Sequence, residues 1–166
     1  MKSKCYIALL AGILAIGSNV QAGQTPEEVV RTLENAFLTG DAKGALAVFY
    51  FPDSSSQKRL TDQFTPAFFA SYRTGWHLEL LATKTTDNYA AVVVRPWVEN
   101  KPKGKPDITP FFLIRTPSGW LLSPNLENPF DFRPLVGTND IGQAELNALY
   151  EWTRQIRQQA VMENDK

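Results

Sequence analysis

Trp76-His77-Leu78-Glu79-Leu80-Leu81-Ala82-Thr83-Lys84-Thr85, then Asp87-Asn88, then Tyr89-Ala90-Ala91-Val92-Val93-Val94-Arg95-Pro96-Trp97-Val98: this run decides the fold. Two stretches rich in β-branched and aromatic residues flank a pair of turn formers, the pattern of a β-hairpin. Toward the C-terminus, Ile108 to Arg115 predicts a third strand and Trp120 to Pro124 a fourth, joined by the tight turn Thr116-Pro117-Ser118-Gly119. The Pro/Gly/Lys loop from Glu99 to Asp107 separates the second strand from the third.

Toward the N-terminus the apolar period changes from two to that of a helix. Thr25-Pro26-Glu27-Glu28 reads as a helix start, with Thr25 as cap, Pro26 in the first turn and Glu28 completing a capping box. Val29, Val30, Leu33, Ala36 and Phe37 follow at helical spacing. Gly40 ends this helix, and Asp41 caps a second, short one through Ala45, Leu46, Val48 and Phe49. Phe51 to Ser56 reads as loop. A third helical region begins near Gln57, and Thr65-Pro66 breaks and restarts it as Ala67 to Tyr72. Helices followed by a four-stranded antiparallel meander predict an α+β fold with the helices on one sheet face.

Gly40-Asp41 opening the second helix, the third helix, and the long hairpins ending in Gly119-Trp120 together resemble the nuclear transport factor 2-like (NTF2-like, cystatin-like, cone-shaped) superfamily, in particular its small exported bacterial members of unknown function. The resemblance spans Gln24 to Pro124. It implies N-terminal helices packed on a curved four-stranded sheet. It implies no activity, because that superfamily hosts isomerases, dehydratases, lipid carriers, secretion-system parts and binding modules. Its enzymes place an Asp, His or Tyr inside the cone, where burial tunes a pKa.

The first 22 residues read as a secretory signal: Lys2 and Lys4, an apolar run from Tyr6 to Ile16, and Val20-Gln21-Ala22 as a cleavage site. The apolar run is shorter than the roughly 20 residues a spanning helix needs. Cys5 precedes that run, where no lipoprotein attachment would occur. Cleavage after Ala22 takes 22 of the 166 residues and leaves 144. That length forms one domain, expected over 23–125, with 126–166 supplying an irregular segment and a helix packed on the same domain.

The mature chain keeps 15 of the 17 basic residues and all 17 acidic ones, a formal charge of −2, which argues against nucleic acid as a partner. Lys101, Lys103 and Lys105 alternate with Pro102, Gly104 and Pro106 and read as a solvated loop. With Cys5 removed there is no thiol, and His77 is the lone histidine, so a zinc site is not expected. EF-hand spacing, a Gly-x-Ser-x-Gly elbow, a phosphate loop and a dinucleotide fingerprint are all absent from the sequence. No cofactor is expected.

Side chains alternate across a strand. The uncharged sets are Trp76, Leu78, Leu80 and Ala82; Ala90, Val92, Val94 and Pro96; Ile108, Pro110, Phe112 and Ile114; Trp120, Leu122 and Pro124. These are predicted to face the helices. The opposite sets carry His77, Glu79, Arg95, Trp97, Phe111 and Arg115 among apolar residues, a face too apolar to be all solvent. Its predicted cover is the C-terminal helix, Asp140 to about Met162 with Leu146, Leu149, Tyr150, Trp152 and Ile156 as its stripe; the alternative is a second subunit in a homodimer. Asn125 to Asn139, with Pro129 and Pro134, reads as irregular.

Acid–base catalysis needs two groups with separated pKa values. His77 has only Glu79 as an evident local partner, and the predicted inner face holds no ionisable group. The expectation is therefore an exported, periplasmic or secreted, non-enzymatic binding protein whose partner is another protein, acting as accessory subunit, inhibitor or immunity-type factor. Its candidate partner surface is His77, Arg95, Trp97, Phe111 and Trp152. The alternative is a carrier of an apolar molecule or lipid held by Tyr72, Trp76, Phe112 and Trp120. A lyase or isomerase using Tyr72 ranks third.

Overall fold

The computed structural model describes residues 24–99, 108–124 and 140–164; the expected signal, the expected Lys-containing loop and the segment from Asn125 to Asn139 lie outside the described residues. Helix α1 (Pro26–Thr39) starts at the expected capping box: Glu28 N–H donates to the Thr25 hydroxyl at 3.3 Å and Thr25 N–H donates to the Glu28 carboxylate at 2.7 Å. Gly40, at φ 75°, turns the chain out of it. Helix α2 (Ala42–Ala47) is capped by Asp41 and α4 (Pro66–Tyr72) by Thr65. Helix α3 (Ser54–Gln63) begins three residues before the expected Gln57. The cause is Asp53, whose carboxylate accepts from Ser56 N–H and from the Ser55 and Ser56 hydroxyls, and these bonds, the backbone one foremost, hold its pKa down to about 2.

The sheet is an antiparallel meander in the order β1 (Trp76–Thr85), β2 (Tyr89–Val98), β3 (Thr109–Thr116), β4 (Gly119–Leu122). Two prolines sit in inner strands without breaking a ladder. The third strand pairs no further than Val94, leaving Pro96 free of it, and the fourth reaches only Leu113, leaving Pro110 free of it. The β4 edge is partly closed by the chain after α2: Leu122 N–H donates to the Val48 carbonyl and Tyr50 N–H to the Leu122 carbonyl, both at 2.8 Å.

One sheet face packs on α1 to α4. Leu78, Ala90, Val92, Val94, Leu113, Trp120 and Leu122 join Val29, Val30, Leu33 and Phe37 in one buried cluster, with Trp76, Leu80 and Phe111 against it. Two predicted faces are corrected here. Val92 pairs with Phe111 and Ala90 with Leu113, so in β3 it is the Phe111/Leu113 set that faces inward, while Phe112 lies in the cluster beneath the C-terminal helix. Arg115 had marked this set as outward; instead it sits at the sheet end opposite Trp120, its guanidinium over that ring at 5.3 Å, and needs no solvated sheet face. In β1 a bulge between Leu80 and Ala82 reverses the alternation, sending Ala82 to the Val93 side and Lys84 over Trp152.

Helix α5 (Asp140–Asn164) covers the other face. Its buried line is Leu146, Leu149, Thr153 and Ala160, with Thr153 tolerated because its hydroxyl donates to the Tyr150 carbonyl at 2.7 Å. Glu145 pins its start to the β1–β2 turn: one carboxylate oxygen accepts from the Thr86 hydroxyl at 2.6 Å, the other from the Asn88 side chain at 3.1 Å. The Thr86 bond, helped by those from Asn88 and opposed by partial burial, lowers the Glu145 pKa. A depressed carboxylate pKa contributes stability that is fully present above the unfolded value and is lost as pH falls through the folded one. Amide hydrogen exchange around Thr86–Tyr89 and the first turns of α5, taken relative to the intrinsic rate at each pH, is thus expected to quicken on acidification below 4.5, the ordinary value. Glu145→Ala should show the faster exchange already at neutral pH; unchanged protection in that variant would remove the latch.

Candidate functional site

The first half of β1 and the second half of β2 form a corner of the sheet with one side chain row on the α5 face. His77 stands opposite Trp97, and Glu79 opposite Arg95. The imidazole and indole stack with centroids 4.6 Å apart and planes 30° apart. Glu79 does not pair with His77, as expected from proximity in sequence; it faces Arg95 Nη1 at 3.5 Å, a long contact. Arg95 Nε is buried with no hydrogen-bond partner among the described residues.

The partners of His77 come from elsewhere. Glu99 Oε1 lies 3.1 Å from Nε2, and Glu34 Oε1, on α1, lies 3.5 Å from Nδ1. Glu34 is 7% exposed. Its burial is compensated by three neighbours: Leu78 N–H donates to it at 2.9 Å, Arg31 Nη1 at 2.7 Å, and His77 stands beside it. Arg31 Nη1 also donates to the Leu78 carbonyl at 2.6 Å. A turn further back, Glu27 is hydrogen-bonded to the Thr83 side chain. Glu27, Arg31 and Glu34 are one helical stripe, and it lies along the open edge of β1, satisfying the outward N–H and C=O of Leu78.

Glu99 is placed by Gly75. The two close a backbone bond, Glu99 N–H to the Gly75 carbonyl at 2.8 Å, and Gly75 takes φ 82°. A Cβ there would lie 2.8 Å from the Glu99 Cβ. Gly75→Ala is expected to cost about 1–2 kcal/mol for the left-handed backbone alone and to push Glu99 off His77. The check is a chemical denaturation curve together with the His77 ring resonances, which should move while those of the distant Trp120 indole stay.

The predicted ligand pocket does not assemble. Tyr72 and Trp76 meet at 4.9 Å within a ring cluster around Phe37 that also holds Phe64, Phe68 and Phe69. Phe112 is on the other sheet face, and Trp120 sits on the far edge strand at the opposite end from Trp76. Burial raises the Tyr72 pKa. Of the predicted partner surface, His77, Arg95 and Trp97 come together; Phe111 points to the helices and Trp152 joins α5 to the sheet. Glu34 and Glu99 were missed because they reach His77 across 43 and 22 sequence positions, in α1 and just after β2. An open depression of about 510 Å³ along the end of α5 is lined by Arg154, Arg157, Gln158 and Met162, none of them a base or nucleophile at neutral pH. Among the described residues no group of three His, Cys, Asp or Glu converges on a metal position, and no helix is long and apolar enough to cross a membrane.

No protein-family profile and no curated protein sequence matches the chain. Two solved structures resemble it. One is a Campylobacter jejuni protein described as a candidate NTF2-like transpeptidase, 18% identical, with a TM-score of 0.46 over 60% of this chain and 98% of that one. The other is an NTF2-like protein of unknown function from Shewanella oneidensis MR-1, 10% identical, TM-score 0.46, covering 58% of this chain and 89% of that one. Both are described as NTF2-like, and at these values they say nothing of this chain's activity or partner.

Proposed function

We propose that this chain is an exported, non-enzymatic binding protein that engages a protein partner through the corner centred on Trp97. The observation that carries it is the fate of the four tryptophans. Trp76, Trp120 and Trp152 each pack on one or two of the three apolar clusters, whereas Trp97 belongs to none of those formed by the described residues and rests on His77. A large aromatic that stands outside the described apolar clusters and is braced by a stacked imidazole has the composition of an interface hot spot.

Both ring nitrogens of His77 face carboxylates and its plane faces Trp97, so the imidazole is built into a platform. Among the described residues the inner sheet face offers Trp76, Leu78, Leu80, Ala90, Val92, Val94, Phe111, Leu113, Trp120 and Leu122, none of them ionisable, with Arg115 at its margin. A carrier of apolar molecules would need a chamber where Phe37, Phe64, Phe68, Phe69, Tyr72 and Trp76 stand ring against ring. Export rests on the three-part signal of the first 22 residues.

The test uses paired baits, the mature protein and its Trp97→Ala variant, matched for folding by circular dichroism, on an envelope extract. A protein held by the first and lost from the second supports the reading. Identical retention by both overturns it.

A further inference from the structure

Resting on that reading, we infer that the partner presents an arginine side chain, seated on the Trp97 ring between the carboxylates of Glu79 and Glu99. Among the described residues no cation of the corner stands over the Trp97 ring. Arg31 is bound to Glu34 and to the Leu78 carbonyl, and Arg95 is tucked in at 21% side-chain exposure. Glu99 is 55% exposed and Glu79 43%, and among the described residues the side chain of each has a single polar contact, at 3.1 and 3.5 Å. An ionised carboxylate can accept about four hydrogen bonds, so both keep acceptors turned to solvent. On this face Glu99 follows Trp97 by two residues and Glu79 stands diagonally across the hairpin. Together they make an aromatic plane with anionic flanks.

A guanidinium fits that arrangement better than an ammonium. It is planar, weakly hydrated, stacks on an indole and presents a fork of donors to carboxylates. The chain already seats one such pair itself, Arg115 over Trp120.

The probe is a tetra-arginine peptide titrated into the uniformly ¹⁵N-labelled mature protein at moderate salt, read at the tryptophan indole signals. The Trp97 indole should shift, with those of Trp76, Trp120 and Trp152 nearly still. Tetra-lysine should bind about three- to tenfold more weakly, the scale of a lost stacking contact. Glu99→Gln should weaken tetra-arginine about fivefold, the scale of one partly exposed charge pair. Tetra-glutamate and a chito-oligosaccharide should move nothing. Equal shifts at all four indoles, no shift at all, an unchanged affinity in Glu99→Gln, or binding of the sugar would each overturn the inference. If the paired baits still separate a partner while tetra-arginine leaves Trp97 unmoved, the protein-partner reading stands and only the arginine falls; if both fail, both fall.

Discussion

Replacing Phe37 with alanine is expected to lower stability by about 3–5 kcal/mol, the range for emptying a buried aromatic site, and to drop the melting temperature by about 10 °C or more in a domain of this size. Phe37 is 3% exposed and touches five other rings, with centroids 4.8 Å from Tyr72, 5.3 Å from Phe68, 5.6 Å from Phe64, 5.7 Å from Trp76 and 5.9 Å from Phe69. Phe37 is on α1 and the five rings come from the C-cap of α3, from α4 and from the start of β1, so one side chain joins the helical layer to the sheet. Edge-to-face geometry adds about 0.5–1.5 kcal/mol per pair beyond area burial. Phe37→Leu separates volume from ring geometry and should lose about a third to a half as much as Phe37→Ala. Thermal melts of the two variants decide. A loss under about 1 kcal/mol for Phe37→Ala would mean that the interior is loose, and the carrier reading would regain its chamber.

Glu34→Ala is expected to cost about 2–4 kcal/mol, because a buried N–H and an arginine lose their acceptor together. It should also change the state of association. Leu78 N–H and C=O point away from β2, and among the described residues it is the α1 stripe that meets them. Opening that stripe leaves a long strand edge with unmet groups, which pairs readily with another. Size-exclusion chromatography of Glu34→Ala should show dimers or larger species that grow with concentration. Arg31→Ala should be milder, since Arg31 is half exposed and water can take its place on the carbonyl. A strictly monomeric Glu34→Ala with near-native stability would show that the stripe guards nothing.

The elements were legible because each carries its own punctuation: Thr25 with Glu28, Gly40 with Asp41, Thr65-Pro66, Asp87-Asn88, Gly119. The start of α3 was missed through Asp53, a cap preceding a run of serines that carries no apolar period. Face assignment succeeded in β2 and β4, where alternation is unbroken, and failed where a local rule was overridden. Arg115 looked like a solvent marker but lies on an indole, and the β1 bulge leaves no trace in residue types. His77 and Trp97 could be placed on one face from the alternation of charged and uncharged sets, but not as a pair, because counting from the turn sets His77 opposite Val98 and only the bulge brings it to Trp97. Glu34 could not be placed with them at all, since only tertiary packing brings α1 to the β1 edge.

The extra residue at the bulge has a bearing on how this chain can vary. Leu81 is what lets His77 and Lys84 occupy the same face despite being an odd number of positions apart. A single-residue deletion at Leu81 removes the bulge and leaves the pairs on either side of it, Leu80 with Val94 and Ala82 with Val93, where they were. Strict alternation then keeps His77 and Glu79 beside Trp97 and Lys84 on the α5 face, with only the packing of Leu81 lost. Among descendants of this sequence, the loss of position 81 should therefore be tolerated more readily than a single-residue deletion between Tyr89 and Trp97, where no bulge takes up the change and half of the strand would turn over.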